Sequence, residues 1–511
     1  MGAGAATLIG GVLYGLAFPP TAARWLAWIA LVPLIVVARG RTLHRAAAMG
    51  ALYGLAGMCV TVDWLPRTVA VYYGQPVAVG LALLAAIGLL MVAPPVAAFA
   101  ATVRATRKLP PSLRVVVAAA AWTACEFWRE HALGGNPWVL IGYSQAQVGL
   151  VAQVADMTGV FGVGFVVVLA NAAIAELALA LRARALPRDV LVAACGAALV
   201  VAATLAYGER MLRRSDGGGT PVPVAVAQGN LDLGSQWRED FYGRNLDAYL
   251  RLTLDALRAR PTRLVVWPEA AMTFFLDTDR AYRTAIGQVL ASFGAQLVAG
   301  GPQAIPGTTT TYRNAAFLIE PSGAIGGRYD KERLLPFAEY FPFPALDILR
   351  RSFGRVREFT PGERAPAPLP TVAGRAGVLI CNEAMFAEVA RDRVGAGAEV
   401  LLVLTNDTWV GDLQFADIAF DMAVLRAIET RRWLVRASTA GPSAVIDPTG
   451  VVRAMVPFGK AAAVAGDVTP RDDLTVYARV GDVFAVGCVA VTAMALVAAA
   501  VRRRVRRRRA A

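Results

Sequence analysis

The chain has 511 residues, 56% of them hydrophobic, with a mean hydropathy of +0.50 and a formal net charge of +14. Such apolarity is unusual in a water-soluble enzyme and ordinary in a polytopic membrane protein. The charge does not argue for nucleic acid: seven arginines, Arg502 to Arg504 and Arg506 to Arg509, form one run directly after an apolar segment, as a cytoplasmic anchor beside anionic lipid heads does.

In chain order the apolar stretches are 2–17, 25–38, 46–60, 77–103, 115–128, 157–181, 190–207 and 483–501. They predict a membrane α-helical bundle of about eight spans, the first two short. Arg39, Arg41 and Arg45 follow the second stretch, Arg104, Arg107 and Lys108 the fourth, Arg182, Arg184 and Arg188 the sixth, and the arginine run the eighth. Every second loop is basic, so the positive-inside rule places both termini in the cytoplasm and the long segment between spans seven and eight outside. The first stretch lacks a basic leader, and no cleaved signal peptide is expected. The predicted division is a seven-span membrane domain at 1–210, an external domain at 213–479, a final transmembrane helix at 483–501 and a basic tail at 502–511. Within the spans, Glu176 is expected to pair structurally with Arg182 and Arg184, and Glu126 and Arg129, near the external face, to support the external domain rather than bind a phosphate head.

After the Gly-rich linker 215–219 the composition becomes that of a mixed globular domain large enough for its own core. Strand-like runs at 222–227, 264–267 and 296–299 alternate with helical stretches at 241–259 and 281–293. Two continuous apolar runs, 377–380 and 400–404, have the character of strands buried inside a layered α/β protein. Hairpins are expected at 315–329, turning at Pro321-Ser322-Gly323, and at 443–455, turning at Pro448-Thr449-Gly450. The fold class is α/β, with sheets covered by helices.

Cysteine and histidine narrow the chemistry. Of five cysteines, Cys59, Cys125, Cys195 and Cys488 fall in apolar spans, leaving Cys381 alone in the external domain. That excludes a disulfide or a Cys-rich zinc site there. Both histidines, His44 and His131, also lie outside it, which removes Ser-His-Asp and Cys-His arrangements. Taken alone, Cys381 reads as a small core residue. It closes an apolar run, however, at the strand end where open α/β sheets place chemistry. A second run ends in Trp267-Pro268-Glu269, and a third element, 327–331, ends in Lys331. Carboxylate, amine and thiol suffice for acyl transfer without histidine. Glu269 would take the thiol proton, Lys331 would stabilise the thiolate and the oxyanion together with the backbone N–H after Cys381, and Cys381 would carry the thioester.

These residues, with their neighbours, resemble a known family. Val266-Trp267-Pro268-Glu269, Tyr329-Asp330-Lys331 running on to Leu335-Pro336-Phe337-Ala338-Glu339-Tyr340-Phe341-Pro342, and Ile380-Cys381-Asn382-Glu383 are similar to the apolipoprotein N-acyltransferases, whose external domain is a nitrilase-like (carbon-nitrogen hydrolase) α-β-β-α sandwich. Gln228-Gly229-Asn230 with Trp237, Asn406-Asp407-Thr408-Trp409, and in the membrane part Glu126-Phe127-Trp128-Arg129, Gly135-Asn136-Pro137-Trp138 and Gly142-Tyr143-Ser144-Gln145 extend the likeness. The resemblance implies Glu269 as base, Lys331 as oxyanion stabiliser and Cys381 as nucleophile. It implies Glu339 as an auxiliary carboxylate, Trp237 and Glu383 as pocket-shaping residues, and Asn382 and Trp409 as further auxiliary positions, with no metal and no cofactor. Two departures stand out: Asn382 where the family often has an aromatic residue, and Leu413 to Ala416 where it often has a histidine-containing stretch.

The implied reaction is ping-pong. Cys381 takes an acyl chain from a phospholipid and passes it to the α-amine of a diacylglyceryl-cysteine at a lipoprotein N-terminus, in the bacterial cytoplasmic membrane. The segment 341–353, with Arg350, Arg351 and nearby Arg355, is a candidate lid or an ordinary surface loop. Two rivals remain at this point, a membrane-tethered amidase using water as acceptor and a catalytically inert scaffold.

Overall fold

In a computed structural model of the chain, residues 2–21, 23–214, 219–231, 239–305, 307–308, 311–341 and 359–510 are described. Trp237 and the lid arginines Arg350, Arg351 and Arg355 lie outside the described residues. The chain divides into two compact units, one of Met1–Pro66, Ala78–Arg214 and Val480–Ala511, the other of Arg67–Val77 and Ser215–Arg479.

In the first unit each apolar stretch becomes helical, but not each becomes a span. Among the described residues four helices are long and apolar enough to cross a membrane: Val77–Ala105, Ala155–Arg182, Arg188–Leu212 and Val483–Val505. A fifth counts if Leu43–Thr61 and Trp64–Tyr73, bent by 52°, form one broken span. Four or five of the described helices, rather than eight, therefore meet the length and apolarity of a span. Ala3–Leu16 has 14 residues, about 21 Å of helix, short of a hydrocarbon core of about 30 Å. The second stretch splits into the turn Arg24–Trp28 and the helix Val32–Arg39, and Pro111–His131 is interrupted by Arg114 and Glu126.

Glu176 also departs from expectation. Its carboxylate bonds Arg114 through Nε at 2.8 Å and Nη2 at 2.6 Å and also pairs with Arg39, so its partners come from two other helices rather than from Arg182 and Arg184. Six residues along a helix turn the side chain to a different face, whereas a packed neighbour presents its cation directly. Glu126 accepts from the Ile141 N–H at 2.7 Å, and Arg129 Nη2 donates to the Trp138 carbonyl at 2.9 Å; both tie down the turn that follows their helix.

The second unit holds two six-stranded sheets. Its strands are β1 (Val222–Gln228), β2 (Leu264–Val266), β3 (Gln296–Ala304), β4 (Tyr312–Ile319), β5 (Ile325–Asp330), β6 (Leu369–Thr371), β7 (Gly374–Ile380), β8 (Val400–Thr405), β9 (Trp433–Ser438), β10 (Ser443–Ile446), β11 (Val452–Val456) and β12 (Ala462–Val468). One sheet runs β12-β1-β2-β3-β4-β5, the other β11-β10-β9-β8-β7-β6. In each, the inner neighbours β1-β2-β3 and β7-β8-β9 pair parallel and the outer strands antiparallel.

Alternation along the strands sorts side chains into layers. Val224, Val226, Leu264, Val266, Val298 and Leu318 of the first sheet share one core with Val378, Ile380, Leu402, Leu404, Val435 and Val445 of the second. The opposite face of the first sheet, with Val265, Leu297 and Phe317, packs on Leu246 and Tyr249 of Glu239–Ala259 and on Ile286 and Leu290 of Arg280–Phe293. Ala387–Gly395 and Leu413–Thr430 lie against β7 and β9 of the second sheet. The result is an α-β-β-α sandwich whose parallel strand ends gather at one rim.

Candidate active site

Three strand ends bring the expected residues together. Glu269 follows β2, and the approach of β3 beside it requires a glycine: a Cβ on Gly300 would lie 2.6 Å from the Glu269 Cα. Lys331 follows β5 with its N–H donating to the Asn314 carbonyl at 2.8 Å. Cys381 follows β7 at φ +54°, a left-handed backbone that aims the residue out of the strand direction at the start of a short 3-10 turn, Cys381–Met385.

Lys331, with 1% of its surface exposed, is the hub. Its Nζ lies 2.8 Å from Glu339 Oε2 and 3.7 Å from Glu269 Oε1. Asn314 Nδ2 donates to Glu269 Oε1 and to Glu339 Oε1, each at 2.7 Å, so one amide braces both carboxylates. The second oxygen of Glu269 accepts from the Asn406 N–H at 2.9 Å, and Glu339 Oε2 also accepts from the Leu335 N–H at 2.7 Å. Glu269 and Glu339 are themselves buried.

Electrostatics follow from this enclosure. Burial raises the Glu269 carboxyl above its ordinary range; Lys331 pulls it down, Glu339 pushes it up again, and the net result is raised. Burial also raises the Cys381 thiol, with Glu269 adding to the rise and Lys331 opposing it. Burial alone would lower Lys331, but Glu339, Glu269 and Cys381 outweigh it and hold the amine charged. Burial thus favours the protonated thiol, beside a carboxyl whose proton affinity is raised and an amine held charged by its neighbours.

Glu383 proves to be a clasp. Its carboxylate accepts from the Ile380 N–H at 2.6 Å, the Tyr329 hydroxyl at 2.7 Å, and the Glu332 and Arg333 N–H groups at 2.9 and 3.0 Å. It thus ties the residue before Cys381 to the residues after Lys331. Arg393 completes the clasp by donating to the Tyr329 hydroxyl at 2.7 Å and to the Val378 carbonyl. Asn382, also buried, donates from Nδ2 to the Arg333 carbonyl at 3.2 Å. Trp409 packs edge-on against Tyr72 and Phe415, with centroids 5.9 and 6.0 Å away.

Asn314 escaped the sequence reading, being a polar residue inside a hairpin strand with no motif around it. So did the support under Asn406: Asp407 is bound by Arg436 Nη2 at 2.9 Å and Ser438 Oγ at 2.6 Å, and Asn406 Oδ1 by Thr439 Oγ1 at 2.8 Å. Among the described residues no three of His, Cys, Asp and Glu converge to hold a metal ion.

Comparison with known proteins gives the lineage. Residues 10–173 match the family model described as the apolipoprotein N-acyltransferase N-terminal domain, and residues 223–471 the carbon-nitrogen hydrolase model. An apolipoprotein N-acyltransferase from Geobacter metallireducens is 34% identical over 487 residues, which cover 94% of this chain and 92% of that protein. Another, from Methylococcus capsulatus, is 30% identical over 94% of this chain and 93% of its own length. Among solved structures, an amidase of the nitrilase superfamily from Nesterenkonia AN1 is similar at 20% identity and a TM-score of 0.38, covering 50% of this chain and 93% of that one. Full-length identity at this level places the chain in the apolipoprotein N-acyltransferase family.

Proposed function

We propose that this chain transfers a fatty acyl group from a phospholipid to the α-amine of diacylglyceryl-cysteine at a lipoprotein N-terminus, through a thioester on Cys381. The carrying observation is the Lys331 hub, charged and buried between Glu269 and Glu339.

In the first half-reaction the Cys381 sulfur attacks the ester carbonyl while Glu269 takes the thiol proton. The oxyanion forms beside Lys331 and the backbone N–H of Asn382, and its charge is met by a cation already in place. Collapse breaks the ester C–O bond, and the departing glycerol oxygen takes the proton from Glu269 as lysophospholipid leaves. In the second half, the acceptor amine attacks the thioester, Glu269 takes a proton from the nitrogen, and the sulfur leaves, regaining a proton from Glu269. Glu339 keeps Lys331 charged and in place, Glu383 holds the Cys381 turn to the Lys331 loop, and Asn382 forms part of the pocket wall. Trp237 and Trp409 are assigned to the substrate surface by likeness to the family.

The supporting frame is a polytopic one: four or five described helices able to cross a membrane, eight apolar stretches in the sequence, and a basic-loop pattern that assigns both termini to the cytoplasm and the sandwich at 213–479 to the extracytoplasmic side of the bacterial inner membrane. The membrane-tethered amidase reading is not favoured, because relatives aligned over nearly the whole chain are named apolipoprotein N-acyltransferases and residues 10–173 match the N-terminal domain model of that same family. Mass spectrometry of protein exposed to phospholipid should find a hydroxylamine-labile acyl group on Cys381 that moves to an added diacylglyceryl peptide. Fatty acid released to water with the peptide unmodified would overturn the assignment.

A further inference from the structure

Two segments fix the carboxylates around Lys331, and both rest on a piece of chain from far upstream. The first is 335–341, which carries Glu339. Within it Phe337 adopts φ +65°, costly for a bulky side chain, with its N–H donating to the Tyr340 carbonyl at 2.8 Å and its ring packed on Phe341. The Tyr73 hydroxyl donates to the Phe337 carbonyl at 3.0 Å. The second is 406–412, whose Asn406 N–H holds Glu269. Here the Tyr72 ring meets Trp409 at 5.9 Å, Thr68 Oγ1 reaches the Val410 carbonyl at 3.5 Å, and Arg67 Nη2 lies 2.5 Å from Asp412 Oδ2. Residues 67–77 belong to the same compact unit as the sandwich although almost 140 residues separate them from it in sequence.

We infer that Tyr73, with Arg67 on the same helix, is a positioning element of the active site that sets the Glu339 and Asn406 segments around Lys331. The inference rests on the reading of Glu269, Lys331 and Cys381 given above. Every group assigned a chemical role lies in 215–479, yet the backbone carrying Glu339 and the backbone bonded to Glu269 are both gripped from 67–73. A side chain that only filled space would have no reason to bond the carbonyl two residues before Glu339.

The test uses the full chain in proteoliposomes, reading the pre-steady-state rate of Cys381 thioester formation against pH. Tyr73→Phe should slow thioester formation about tenfold, the worth of one hydrogen bond, with the phospholipid KM within twofold. Its acidic limb should move to lower pH, since Glu339 is one of the charges that raises Glu269. Arg67→Ala should slow the same step and Arg67→Lys restore most of it. Val71→Ala, on the same helix and 75% exposed, should match the wild type. A Tyr73→Phe protein with wild-type rate and profile overturns the inference, as does one whose loss tracks a lower melting temperature with an unmoved profile. No thioester in the wild type would sink the Cys381 assignment and this inference together, whereas equal thioester formation in Tyr73→Phe sinks only the latter.

Discussion

Asn314 offers the sharpest test of how the base is tuned. Replacing it with Leu removes one amide that donates to Glu269 Oε1 and Glu339 Oε1, each over 2.7 Å. A hydrogen bond to a charged acceptor contributes about 1.5–3 kcal/mol, but both carboxylates keep other partners, Asn406 N–H on one and Lys331 with Leu335 N–H on the other. The loss should therefore be less than two full bonds, about 2–3 kcal/mol, or roughly 30- to 150-fold in the rate of thioester formation. The sign of the pH effect is fixed as well. The base role proposed for Glu269 needs the ionised carboxylate, and the Asn314 amide favours that form, so its removal raises a carboxyl already raised by burial. The acidic limb of the rate profile should then move to higher pH, opposite to the shift expected for Tyr73→Phe. The assay is single-turnover acylation of Cys381 by a fluorescent phospholipid across pH. A rate within twofold of wild type and an unmoved acidic limb would show that the amide does not hold the base.

Other outcomes follow from close contacts. Gly300→Ala should slow thioester formation roughly 5- to 150-fold, because its new methyl would sit 2.6 Å from the Glu269 Cα, with overpacking that costs about 1–3 kcal/mol; melting and activity measured together check this. Asp407→Leu should leave the Arg436 guanidinium, 2% exposed, without its carboxylate, at a cost of about 3–5 kcal/mol, seen as loss of folded protein by size exclusion. Glu176→Leu should leave Arg39 and Arg114 facing each other in the helical unit, with a comparable loss of about 3–5 kcal/mol, read as lower yield and melting temperature in detergent.

What was legible in the sequence, and what was not, divides along physical lines. The runs ending at Trp267 and Ile380 show as strands because their side chains face packed layers on both sides, as the continuous burial of β2 and the end of β7 records. With no imidazole available, the polar residues that close those runs stand out. β9 did not stand out. It follows Arg431 and Arg432 and contains Arg436, a polar signature for a strand buried throughout, and the carboxylate that pairs with that arginine, Asp407, is distant in sequence. Asn314 and the Tyr73 contact are invisible for the same reason: each acts across a separation in sequence that no local pattern encodes. Apolar composition does not reveal where a helix stops, so Ala3–Leu16 and Val32–Arg39 come out shorter than the stretches that suggested spans there.

β12 closes the first sheet by running antiparallel to β1, with Val468 opposite Val222 and Ala462 opposite Gln228. The earliest strand of the sandwich consequently waits for the latest one. Until synthesis has passed residue 468, β1 presents a bare row of amides and carbonyls, open to improper pairing with any other extended chain nearby. Truncation a few residues short of that point would leave every reacting group encoded but the sheet unsealed, so that aggregation rather than lost chemistry would be its first symptom.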